Sequence, residues 1–240
     1  MVFSDTTNNS GILERVRAMA GIDAIQWPTW KVVNSANDWH DKVVSYLIGA
    51  DKRFQWDDTN HTKLPEGTTD LVSGQSDYSF LTDEQGNKIL TLLGISVLPS
   101  SSATLYAPLK EVDRQSEGYN SETFGMVTGA PSAYDKIADN IARLDAKPPA
   151  LITNGLKFYF QREGSRFATT DTTKEPGVSP LLHRGYFIAG AYDAALELGL
   201  GNLQALAVEL AKEEQNLMLY CESRNNDFDK VMRPKLTPFI

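Results

Sequence analysis

The stretch SPLLHRGYFIAGAYDAALEL, residues 179–198, is apolar on nearly every side. Ser179 and Pro180 make an N-cap and first-turn pair, and Gly199 with Gly201 ends the run. A helix that is apolar all round must be enclosed by other elements. Downstream, Asn202 caps a helix over 203–224 with a seam of Leu203, Leu206, Leu210, Leu217 and Tyr220. Glu209, Lys212, Glu213 and Glu214 fall on its wet side, and Asn225-Asn226 closes it. The other partners lie far upstream. Residues 29–48, behind Pro28, place Val32, Val33, Ala36, Trp39, Val43, Tyr46 and Leu47 on one stripe, and residues 10–21 repeat the spacing with Ile12, Leu13, Val16, Met19 and Ala20. Ser10 is the expected N-cap of that short helix and Gly21 its stop.

Between about 67 and 163 the helical period disappears, and Thr, Val, Ile, Tyr and Gly alternate with turn residues. Three hairpins are expected. Residues 69–72 and 78–81 flank Ser73-Gly74-Gln75, and 88–98 returns through Pro99 to Ser102 into 103–109. The third joins 134–138 to 141–144 through Asp139-Asn140, residues that tolerate the positive φ of a two-residue turn. Residues 156–161 add a strand rich in Phe and Tyr, and 113–129 reads as an irregular excursion. The pattern predicts an α+β chain. A helical bundle forms from residues 1–65 and 176–225, with a β-rich lobe inserted at 66–175 and an extended C-terminal tail at 226–240.

That tail carries Phe228, Val231, Met232, Leu236, Phe239 and Ile240 around Pro234 and Pro238, which forbid a continuous helix. Six large apolar side chains with no core of their own call for a docking surface, on this chain or on another. With 240 residues, 41% hydrophobic and 22% charged, a globular chain can bury roughly 70% of its unfolded surface and needs no disulfide or structural metal. Cys221 is the single cysteine. No apolar run reaches membrane-spanning length, and the polar N-terminus lacks a signal-sequence pattern, so a soluble chain without a leader is expected. A net charge of -8 disfavours tight, sequence-independent nucleic-acid binding.

Chemistry-bearing residues are sparse. His40, His61 and His183 lie in three separate segments without metal-ligand spacing, so neither metal nor cofactor is expected. Cys221 and His183 could be drawn as a nucleophile and base, but a buried structural thiol is the favoured reading. Asp51, Asp57, Asp58 and His61 surround Phe54 and Trp56, a carboxylate-and-aromatic grouping of the kind glycan hydrolysis uses. Asp58, Thr59 and Asn60 are also turn formers, and the structural reading is preferred. Glu209, Glu213 and Glu214 read as a solvated helix face, and Phe158-Tyr159-Phe160 as sheet core rather than a base-stacking platform.

Residues 54–80, FQWDDTNHTKLPEGTTDLVSGQSDYSF, behind a helix ending in LIGADKR, resemble the head-to-tail adaptors of tailed bacteriophages, which sit beneath the portal. The similarity resumes at 172–184, TTKEPGVSPLLHR, after the strand GLKFYFQRE, and runs in order from roughly Asn34 to Gly199. The chain departs from the family pattern at 84–98 and after Gly199. The resemblance implies a non-enzymatic virion protein, made in the host cytoplasm and placed at the neck between capsid and tail. Its copies would form a homo-oligomeric ring of about twelve, contacting the portal protein on one side and a tail or nozzle protein on the other. DNA would pass through the channel without specific binding, no membrane would be involved, and the apolar tail would be the portal-docking arm. The alternatives are a cell-wall glycan hydrolase associated with the tail, with carboxylates from Asp51, Asp57 and Asp58, or another neck or tail component.

Overall fold

The computed structural model describes residues 1–50, 58–114 and 123–225. They divide into a helical unit, residues 1–50, 58–60 and 164–225, and a β unit, residues 61–114 and 123–163. The chain is α+β.

The helical unit contains α1 (Ile12–Ala20), α2 (Thr29–Ala50), α3 (Arg184–Leu198) and α4 (Leu203–Asn225). Helix α3 packs against each of the other three, as its all-round apolarity requires. Two glycines permit the close approach. A Cβ on Gly185 would lie 2.5 Å from Trp39 Cε2 of α2, and one on Gly190 would lie 2.8 Å from Val16 Cγ2 of α1. Phe3, Ile12, Val16, Val43, Leu47, Tyr186, Ile188 and Leu217 are among the fully buried residues of this core. Of the expected stripe of α2, Val32, Val33, Ala36, Trp39, Val43 and Leu47 are buried and Tyr46 is partly buried, while Asn34, Asp38 and Ser45 face water.

Three local expectations change. The N-cap of α1 is Gly11, because the Ser10 hydroxyl is turned to donate to Asp5, and Glu14 takes the Asp5 and Ser4 donors. Helix α3 begins at Arg184 after a 3-10 turn, Pro180–Leu182, in which the His183 N–H bonds the Pro180 carbonyl at 3.2 Å. Glu213, expected on the wet side, is only 5% exposed, since it continues the buried line of Leu206, Leu217 and Cys221 and pairs with Arg184 Nη1 at 3.1 Å.

In the β unit the strands are β1 (Glu66–Leu71), β2 (Asp77–Ser79), β3 (Ile89–Val97), β4 (Ala107–Pro108) and β5 (Lys110–Glu111). They are followed by β6 (Val127–Thr128), β7 (Ala133–Ala138), β8 (Ile141–Leu144), β9 (Ala146–Lys147) and β10 (Ile152–Arg162). One sheet has the order β1-β10-β3-β4, a second β2-β8-β7-β5, and β6 pairs with β9. The two four-stranded sheets share one core, to which Leu92, Ile95, Leu156, Phe158 and Phe160 contribute from the first and Tyr78, Tyr134, Ala142 and Leu144 from the second. Strand β10 shows the period of two: Leu156, Phe158 and Phe160 point inward, Lys157 and Tyr159 outward.

Of the three hairpins, the one joining β7 to β8 is present, antiparallel, with Tyr134 opposite Leu144. Its turn is not of the positive-φ type, because among the described residues only Asn9 and Asn154 are non-glycines with positive φ. The carbonyls of Asp139 and Asn140 instead accept the Leu92 and Phe80 N–H groups, both at 2.9 Å, and a register shift between Lys136 and Ala138 completes the reversal. The first expected hairpin does not form. Strand β1 pairs with β10 and β2 with β8, because the Gly74 N–H bonds Pro148 O at 2.9 Å and the Ser73 hydroxyl bonds Pro149 O at 3.1 Å, carrying the chain to the other sheet. In the second, β4 does pair with β3, but only over Ala107–Pro108. The Leu109 N–H still bonds Ile95 O at 2.9 Å, after which Lys110 crosses to pair in parallel with β7.

The unit boundaries also differ from the expected 65/66 and 175/176. Residues 164–175 belong to the helical unit, where the Asn37 amide brackets Phe167 with bonds of 3.0 and 2.8 Å and Phe3 stacks on the Phe167 ring. Residues 61–65 belong to the β unit, where the Phe160 N–H bonds Pro65 O at 3.1 Å.

Candidate functional site

The expected docking residues Phe228, Val231, Met232, Leu236, Phe239 and Ile240 lie outside the described residues, as do Asp51, Asp57, Phe54 and Trp56. What the structure does bring together is residues 58–60 of the first motif and residues 175–177 of the second. Asp58 Oδ1 accepts the Asn60 N–H at 3.0 Å, an Asx turn of the kind expected from the Asp-Thr-Asn sequence. Asn60 Nδ2 donates to Glu175 O at 2.7 Å. Asp58 lies against Gly177, where a Cβ would be 2.6 Å from Asp58 Cγ and 3.2 Å from its Cα. The N-terminal segment closes over the second motif, with the Phe3 N–H on Lys174 O at 2.8 Å and the Ser4 N–H on Thr172 O at 3.0 Å. Two segments more than a hundred positions apart thus form one clasp in the helical unit.

Beside the clasp, His40 is fully buried and its Nδ1 shares a hydrogen bond of 2.6 Å with the Tyr186 hydroxyl. Burial lowers His40 to about 4, against a smaller opposing pull from Asp58, so the ring is neutral at physiological pH. Burial also raises the Tyr186 hydroxyl well above its ordinary value. Such a pair is a spacer and hydrogen-bond partner within a core, as its contacts with Phe167 indicate.

In the β unit, His61 pairs with the carboxylate of Asp83. Its Nε2 bonds Asp83 Oδ2 at 2.8 Å, with both side chains essentially buried. Asp83 Oδ1 also accepts the Gln85 and Asn87 N–H groups at 2.9 and 2.8 Å, and Arg162 Nη1 lies 3.5 Å from Oδ2. Burial pushes Asp83 up, but the Asn87 and Gln85 N–H groups and the Asn87 and His61 side chains outweigh it, leaving the carboxyl below its usual range. This cluster is not visible in sequence spacing, because residues 61, 83 and 162 meet only through the sheet; Asp83-Glu-Gln-Gly-Asn87 was its local turn signal.

The remaining candidates have structural partners. The ring nitrogens of His183 contact the Met1 amine and Val178 O, both at 3.0 Å, so neither addresses Cys221. Burial pushes the Cys221 thiol up, away from thiolate chemistry. Glu209 bonds Arg184 at 2.7 Å and Lys212 at 2.6 Å, and Glu214 pairs with Lys42. Phe158 and Phe160 are core residues, with Phe80 and Phe158 ring centroids 4.2 Å apart. Among the described residues no group of three or more His, Cys, Asp or Glu is disposed to hold a metal, and no helix is long and apolar enough to cross a membrane.

Fold and site together define an α+β chain in which a discontinuous helical unit is tied by a clasp of two motifs. Comparison with protein-family models and with curated proteins gives no match.

Proposed function

We propose that this chain is a structural head-to-tail adaptor of a tailed bacteriophage, a helical bundle with an inserted β-rich lobe and an extended docking tail. Its copies form a ring between the portal and a tail or nozzle protein, at the neck of the virion. The observation that carries this reading is the resemblance of residues 54–80 and 172–184 to that family, strengthened by the meeting of Asp58 with Gly177 and Asn60 with Glu175. Residues that share a pattern because they hold a fold together should touch one another, and these do. The turn that Asp58 makes with Asn60 and the bond from Asn60 to the Glu175 carbonyl are of a fold-holding kind, which supports a structural role over glycan hydrolysis.

The tail at 226–240 is the arm that docks into the portal through Phe228, Val231, Met232, Leu236, Phe239 and Ile240. Many arms in a ring bind with avidity even when each is weak. The net charge of -8 suits a channel wall past which DNA slides without adhering. Deleting the residues after Asn226 tests the reading. The truncated protein should keep the circular dichroism and unfolding transition of the whole chain yet fail to join portal-bearing heads to tails in an assembly assay. Undiminished joining would remove the docking role.

A further inference from the structure

In the helical unit a cleft of about 420 Å³ opens between the last turns of α2 and α4, lined by Tyr46, Gly49 and Ala50 of the one and Met218, Cys221 and Glu222 of the other. Met218 is 42% exposed there, and the adjoining Leu219 60%. Gly49 keeps one wall open, since a Cβ at that position would meet nothing within 4 Å. Glu222 is the single charged side chain among the described lining residues, and it forms no ion pair among them. Where the chain goes next indicates what covers this surface. Helix α4 ends at Asn225, less than a turn beyond Glu222, and the residues that follow open with the turn formers Asn226 and Asp227. At roughly 3.3 Å per extended residue, the chain can return to the cleft within a few positions. Residues 226–240 bring Phe228, Val231 and Met232 for the apolar walls, and Lys230, Arg233 and Lys235, with no acid after Asp229, for Glu222.

We propose that in the free chain residues 226–240 turn back into this cleft of their own helical unit as a weak latch, their apolar side chains on Met218 and Tyr46 and a basic one beside Glu222. The same segment of a second copy has the same chemistry. A tether this short, however, gives the chain's own segment an effective concentration in the millimolar range, above that of any other copy in dilute solution. The closed latch keeps an apolar arm out of water until a partner with a larger surface takes it, and being weak it can let go. The inference deepens the reading of residues 226–240 as a docking arm, and rests on that reading for the release step but not for the closed state.

The test follows the methionine methyl resonances of the isotope-labelled chain, whole and truncated after Asn226, with no partner present. Truncation should move the Met218 signal and leave those of Met19 in α1 and Met126 in the β unit in place. A synthetic peptide of residues 227–240 should return Met218 saturably towards its position in the whole chain. The whole chain should bind that peptide about four-fold more weakly, as its own segment closes the cleft about three parts in four. A latch of this strength moves the unfolding midpoint by only about 3 °C. Gly49→Leu, which fills the cleft without a clash, should abolish the peptide response, and Glu222→Lys, at an exposed position, should weaken it about five-fold. The latch is overturned by an unmoved Met218 on truncation, by a shift that grows with chain concentration, or by equal peptide affinity of whole and truncated chains. Unchanged affinity in the folded Gly49→Leu or Glu222→Lys protein overturns it too. None of these outcomes bears on head–tail joining, so the latch and the portal-docking role fail separately.

Discussion

At Gly177 the backbone runs so close to the Asp58 side chain that even a methyl group has nowhere to go. Gly177→Ala should cost about 1–3 kcal/mol, as overpacking a tight contact does, read as a lowered midpoint in urea unfolding. His40 sets a second expectation. Its ring stays neutral in the folded chain down to about 4, whereas in the unfolded chain it takes a proton near 6.5. Below 6.5 the unfolded state thus binds a proton that the folded state refuses, and stability falls as pH drops from 6.5 towards 4. The lowering corresponds to about 3 kcal/mol at the acid end, and His40→Gln should flatten the stability-against-pH slope across that window. Neither residue announces this in sequence. A lone histidine at an apolar helical position suggests burial, but the Tyr186 partner lies 146 positions away. Glu213 was more legible: it falls in phase with Leu206, Leu217 and Cys221, and only its charge argued for water.

Among the elements, β10 joins β1 on one side and β3 on the other, so it is where the β unit is most vulnerable. Phe160→Ala, at a residue 1% exposed, should destabilise the chain by about 3–5 kcal/mol, measured by thermal unfolding. Asp83 ties the 83–87 turn to His61 and Arg162. Asp83→Ala leaves a buried arginine without this carboxylate and should cost about 3–5 kcal/mol, with hydrogen exchange speeding up first at Gln85 and Asn87. The helices were readable at this scale because each carries its own period over two or more turns. Strand pairing was not. The partner of β1 is β10 rather than β2, and the bonds that decide it run from Ser73 and Gly74 to Pro149 and Pro148.

For the whole molecule, a β unit inserted between the halves of a helical unit is an arrangement in which the insertion can vary while the clasp at Asp58, Asn60, Glu175 and Gly177 holds the halves together. If the chain serves as a neck component, Asn60→Ala should leave any assembly surface chemically intact and act through stability. Its effect on head–tail joining should therefore be recovered by lowering the assay temperature, whereas loss of the residues after Asn226 should not be. A glycan-cleavage assay on the full chain provides the opposing measurement: turnover abolished by Asp57→Ala with the unfolding transition unchanged would replace the adaptor reading by the hydrolase one.

By itself the sequence determined the α+β class, the four helices and the strand-rich middle, because hydrophobic period and turn chemistry are local properties of the chain. It also placed the buried faces of α2 and α3. Only the tertiary structure decided which strands pair, where residues 61–65 and 164–175 belong, and that His61 bonds Asp83. The reason is physical: a period reveals which face of an element is buried, but the partner is selected by shape and by unsatisfied hydrogen-bonding groups. Those come together only once distant segments meet.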